Sequence, residues 1–192
     1  MSKNNNGNGQ MDKARLGSIG ENLVVARLME QGWDAFNANC NIKNYKSIDV
    51  VCLNSDIPES KEQAWKPKSA LIQVKTSYGN NIPSGFTIEE SLDKDYLEKN
   101  VKGPYVFVKV DKTDKGNVYN YYVLSRALFI ELLHKAHVYY DNKHKGQESK
   151  TAPAGISISW LKGEKDFSTR DKNDFGNPIT QPCEDEWDNI WK

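Results

Sequence analysis

A chain of 192 residues with 38% hydrophobic and 27% charged side chains can bury one core, is too apolar for global disorder and is short for two domains. Lysine plus arginine equals aspartate plus glutamate at 26 each, so no bulk positive field draws in a polyanion, and any grip on nucleic acid has to be local. The cysteines Cys40, Cys52 and Cys183 are odd in number and far apart, which gives neither a disulfide framework nor a zinc ribbon and fits a reducing compartment.

Residues 1–11 are asparagine- and glycine-rich, have nothing to bury and read as a disordered tail that lacks the apolar stretch of a secretory signal. No later segment approaches the ~20 apolar residues needed to span a bilayer, and the chain reads as soluble and cytoplasmic. A single domain is expected over 12–192, with a C-terminal extension from about 162. From Asp12 to Gln31, Leu16, Ile19, Leu23, Val24, Ala26 and Leu28 recur at helical spacing, and Gly32 follows as a stop. Extended segments are expected over Trp33 to Ala38, Ser47 to Leu53 and Ala70 to Thr76; the last two carry the Val, Ile and Leu that a central strand requires. Cys52 reads as a small buried hydrophobe. Asn54 to Ser69 is polar, holds Pro58 and Pro67, and reads as a long connection.

Gly79 to Gly85 is turn-rich, Ile88 to Leu97 has the composition of a short helix, and Gly103-Pro104 introduces a strand over Tyr105 to Val110. Val118 to Leu124 is its hairpin partner across Asp111 to Asn117. Ser125 then caps a helix from Arg126 to about His137, with Leu128, Phe129, Leu132, Leu133 and Ala136 on one face. His134 and His137 border that face without a cysteine or acidic cluster at zinc spacing, so they read as structural. Asp141 to Lys150, with Lys143, His144 and Lys145, reads as a solvated loop, and Ile156 to Leu161 as a last short strand. Tyr119, Tyr121, Tyr122, Tyr139 and Tyr140 offer stacking surfaces to single-stranded nucleic acid, but strand pairing and core packing explain them more simply. The acidic run Glu184, Asp185, Glu186 and Asp188 suits a helix N-terminus, and Trp187, Ile190 and Trp191 are expected to dock that helix on the domain.

The order helix, strand, strand, strand carries polar groups where the pattern calls for apolar ones. Along Ala70 to Thr76, side chains alternate between faces, so Gln73 and Lys75 emerge together while Val74 points into the opposite layer. Asp49 sits in Ser47-Ile48-Asp49-Val50-Val51-Cys52-Leu53, where a buried charge costs several kcal/mol unless it is paired or binds a cation. With that strand beside the next, Asp49, Gln73 and Lys75 converge at one end of the sheet, and the ammonium offsets part of the charge. Val24, Val25 and Leu28 follow Glu21 at three, four and seven residues, which puts this carboxylate on or beside the packing face of the first helix. Gly17 and Gly20 let that helix come close to a strand or to a phosphodiester backbone.

Gly-Ser-Ile-Gly-Glu at 17–21, Ile-Asp-Val-Val at 48–51 and Ile-Gln-Val-Lys-Thr at 72–76 resemble the PD-(D/E)XK, or restriction-endonuclease-like, nuclease superfamily. The likeness is nearest to its Holliday-junction-resolvase-like and Mrr-like members and covers roughly Gly17 to Thr76. It implies an α/β (α+β) fold with a central mixed sheet of four to five strands flanked by helices. It implies a DNA endonuclease using Mg2+ or Mn2+, with Asp49 as motif aspartate, Gln73 at the variable acidic position, Lys75 as motif lysine and Glu21 as first-helix glutamate. The metal would be held by Asp49, Glu21, the amide oxygen of Gln73, the main-chain carbonyl of Val74 and waters, with Lys75 beside the attacking water. Two positions depart from the pattern: Ile48 stands in place of proline, and Gln73 removes a negative charge, which lowers metal affinity. Many relatives act as homodimers, because cutting two strands takes two sites. The alternative from another class is an inactive fold of this kind kept as a module that binds nucleic acid or protein.

Overall fold

The computed structural model describes residues 6–40, 48–54, 68–144, 149–163 and 175–192. Most of the expected 54–69 connection, the centre of the 141–150 loop and much of the expected extension lie outside those residues. Helix α1 (Asn6–Glu30) leads into β1 (Asp34–Asn37), a 3-10 turn (Ala38–Cys40), β2 (Val50–Asn54) and β3 (Lys68–Ser77). Then follow β4 (Asn81–Thr87), α2 (Ile88–Leu92), α3 (Lys94–Asn100), β5 (Tyr105–Thr113), β6 (Gly116–Leu124) and α4 (Arg126–Lys143). β7 (Pro153–Ser157), α5 (Ile158–Leu161) and a 3-10 turn (Trp187–Trp191) complete the described chain. Among the described residues, no helix is long and apolar enough to cross a membrane.

The main sheet has five strands in the order β1-β2-β3-β5-β6, antiparallel except for the parallel pair β3–β5. A mixed sheet flanked by helices is what the sequence predicts. The interior strand β5 is apolar without alternation over Tyr105 to Val108 because both faces are covered. Val106 and Val108 join Val24 and Leu28 of α1 and the C-terminal Trp187 and Ile190, whereas Tyr105 and Phe107 join Phe129, Leu132 and Leu133 of α4. The C-terminal aromatics therefore dock as expected, on a 3-10 turn rather than an α-helix; Trp33 meets Trp191 edge to face at 5.2 Å. Tyr121 and Tyr122 are buried in the two layers, Tyr139 and Tyr140 pack against each other, and Cys52 is fully buried with its thiol pushed up to about 11 by desolvation.

Several elements differ from the sequence expectation. The stretch 79–85 is mostly strand: β4 pairs with β7 as a separate two-stranded ribbon, in which Ile82 and Ser84 turn inward. Pro83 and Gly85 give it the composition of a turn, but an edge ribbon tolerates both. Ile156 to Leu161 is not a continuous strand. Ile158, Trp160 and Leu161 are all buried, and a strand would send Trp160 and Leu161 to opposite faces, so the chain turns helical after Ser157. The helix expected over Ile88 to Leu97 is two, broken at Asp93, whose extended backbone ends α2 and whose carboxylate caps α3. α1 starts at Asn6, ahead of the expected Asp12, and α4 runs on to Lys143.

The two glycines of α1 have different surroundings. A Cβ added at Gly20 would overlap Thr76 Oγ1 on β3, whereas one added at Gly17 meets nothing within 4 Å. Gly20→Ala is expected to push α1 off the sheet and cost about 1–3 kcal/mol in urea unfolding. Gly17→Ala should leave stability equal or slightly higher through helix propensity, and equal losses at both positions would contradict this packing.

Candidate active site

The first carboxylate is set by the end of a ladder. β2 and β3 pair as far as Val50 and Ile72, and the Asp49 main-chain N–H still donates to the Ile72 carbonyl at 3.0 Å. The next inward β3 amide, on Val74, has no β2 carbonyl to meet, and Asp49 Oδ2 accepts it at 2.8 Å. A buried amide thus fixes the aspartate, while Val74 sends its side chain into the α1 layer, as the alternation requires.

Glu21 arrives from α1, one turn before Val24 and seven residues before Leu28, and is half-buried. Its Oε2 accepts from Asn37 Nδ2 at 2.9 Å and, at the long limit of 3.5 Å, from Asn39 Nδ2. Asn39 Nδ2 also donates to Asp49 Oδ1 at 3.1 Å, so one amide bridges both carboxylates. The 3-10 turn after β1 places it there, held by the Asn39 N–H to Asn37 Oδ1 bond at 2.8 Å. Burial raises the Glu21 pKa, and the nearby Asp49 charge adds to that against the lowering by Asn37, Asn39 and Lys75.

Lys75 completes the charge set. Burial lowers its pKa, while Asp49 and Glu21 both pull it upward. None of the ion pairs among the described residues includes it. Its Nζ packs instead against Gly85 of β4: a Cβ added there would stand 3.3 Å from Nζ, and the glycine's φ of +98° disfavours any other residue. Gln73 lies on the same face of β3, two residues earlier, and its Oε1 accepts the Tyr105 hydroxyl proton at 2.7 Å. Tyr105 is buried, stacked on Phe129 at 3.7 Å, and burial followed by the Asp49 charge pushes its hydroxyl pKa up.

Glu21, Asp49 and Lys75 are therefore electrostatically coupled, with Gln73 alongside. With all three ionised the set carries an excess of one negative charge, which favours a cation. The oxygens fit a hard one: among the described residues, Glu21 Oε1 accepts from no donor and each Asp49 oxygen accepts a single bond. Among the described residues only two carboxylates contribute, and these residues hold no group of three or more His, Cys, Asp or Glu arranged for a metal. His134 Nδ1 lies 3.1 Å from the Ser91 carbonyl and His137 Nε2 3.1 Å from that of Gly155, in keeping with their structural reading.

Asn37, Asn39, Gly85 and Tyr105 were not singled out from the sequence. The asparagines sit two apart where β1 ends, the only sequence signal for them; Tyr105 and Gly85 needed the β3–β5 register and the path of β4. Because Glu21 ionises less readily in the folded chain, its contribution falls as pH rises from 4.5 through its raised value. In EDTA at pH 7, Glu21→Gln is expected to raise Tm by roughly 1–2 °C, with the gain gone below pH 4.5; an equal gain at every pH would contradict the coupling. The chain matches no protein-family model, no curated protein and no solved structure.

Proposed function

We propose that this protein is a metal-dependent DNA endonuclease with a restriction-endonuclease-like core, hydrolysing phosphodiester bonds with Glu21, Asp49, Gln73 and Lys75. The observation that carries this is the meeting of two carboxylates from distant segments, bridged by Asn39 beside a desolvated lysine. The element order gives support: a helix, three antiparallel strands and a crossover through α3 to a strand parallel with the third.

Asp49 and Glu21 would hold Mg2+ or Mn2+, with the free lone pair of Gln73 Oε1 and the Val74 carbonyl as further oxygens. When bound, the cation supplies charge neutralisation at the phosphodiester and makes water more acidic. Asn37 and Asn39 keep the carboxylates aimed together against their repulsion. Tyr105 fixes the Gln73 amide. Lys75 Nζ orients the attacking water and sets positive charge against the phosphoryl oxygens. Cutting both strands of a duplex would take two such sites, hence two copies of the chain.

The test is cleavage of single-stranded, duplex and branched DNA by the purified chain in Mg2+ or Mn2+ and in EDTA. Cleavage confined to the metal-containing reactions is expected. Failure to cut any of them, with no rise of Tm on adding either ion, would leave a non-catalytic binding module as the better reading.

A further inference from the structure

On the Gln73 side of the site, a cavity of about 230 Å³ opens between β3, β4, α3 and the start of β5. Phe86 and Tyr96 bring aromatic side chains to its wall, and Tyr105, whose ring is stacked in the core, also lines it. Its polar groups are of complementary kinds. The Tyr105 hydroxyl takes Gln73 Oε1, which leaves the Gln73 amide N–H groups as donors. Asn100 gives Nδ2 to the Tyr96 carbonyl at 2.8 Å and keeps Oδ1 as an acceptor. Glu90 is committed elsewhere, accepting the Thr87 N–H at 2.8 Å in the α2 capping box and the Tyr96 hydroxyl at 2.7 Å. Lys102 adds an exposed ammonium at the wall.

Rings beside one donor and one acceptor suit a planar heterocycle with a hydrogen-bonding edge, and the ammonium suits the backbone that follows it. Gly85 links this cavity to the chemistry, because it lines the cavity and is also the surface on which Lys75 Nζ rests. A base held there leaves its own phosphate beside Lys75. A base stacked and paired within a duplex cannot enter a recess of this size without leaving the helix.

We propose that this cavity seats one unpaired nucleobase of the strand being cut, so that the substrate is single-stranded or locally unpaired next to the scissile bond; this rests on the endonuclease reading above. The balanced charge of the chain agrees with it, since 26 cations against 26 anions give intact duplex little general hold.

The test uses the full chain in EDTA and three labelled probes of equal length: a single strand, the same strand without bases, and the duplex. The single strand is expected to bind roughly 5- to 10-fold more tightly than the baseless strand. Tyr96→Ala, at an exposed position, should remove most of that difference, and Lys102→Ala should weaken both strands alike. Tm measurements on both variants verify folding. Equal binding of the two strands by the wild type, or an undiminished difference in Tyr96→Ala, overturns the base seat. If the wild type cuts DNA in Mg2+ under either outcome, the endonuclease reading survives alone. If bases are preferred as expected and no DNA is cut, the seat stands and the catalytic reading falls; if nothing is bound or cut, both fall.

Discussion

Lys75→Ala is expected to lower DNA cleavage by about 100-fold or more while leaving the fold as stable as the wild type, or more so. The kinetic loss follows from removing the positive charge set against the phosphate and the group that orients water, and losses of this type run from roughly 10² to 10⁴. The stability follows from the opposite sign of the same feature. Burial lowers the lysine pKa, so its ammonium costs free energy at neutral pH, and that cost is relieved only as pH rises from the lowered value towards 10.5. Alanine removes it throughout. Urea unfolding and cleavage rates on the same preparations test the pair of effects; a variant that is fully active, or inactive merely because it is unfolded, contradicts the assignment. In the wild type, cleavage should fall at high pH as Lys75 deprotonates below 10.5, because burial lowers its pKa.

Asp49→Ala should lose more than activity. It deprives the Val74 N–H of its acceptor and Asn39 of one of its two carboxylates, and a buried donor left unpaired costs about 1–3 kcal/mol. Asp49→Asn separates the roles. An asparagine oxygen can still accept from Val74, so stability should return to within about 1 kcal/mol of wild type, whereas cleavage and the rise of Tm on adding Mg2+ should stay absent. Full cation-dependent stabilisation in Asp49→Asn would mean that Asp49 serves only to finish the ladder.

How much was legible in the sequence depended on whether the signal was local. Period and capping give α1, α4, β3 and the β5–β6 hairpin, because each carries its own apolar pattern. The face shared by Gln73 and Lys75 follows from strand alternation alone. Long-range features were out of reach. Nothing near Pro83 reports that Pro153–Ser157 will pair with it, and nothing near Asn39 reports that a 3-10 turn will swing its amide between Glu21 and Asp49. Trp160 and Leu161 show the same limit in reverse: the Ile156 and Ile158 alternation reads as strand, and only the crowded core on one side turns the chain helical.

The bond from Val74 to Asp49 gives the site its own reporter. That amide is protected from solvent hydrogen only while the carboxylate stays in place, so its deuterium uptake follows the integrity of the centre rather than the sheet at large. Slower uptake there than at neighbouring amides on addition of a cation or a nucleotide would record occupancy directly, in a protein whose catalytic turnover need not be observed at all.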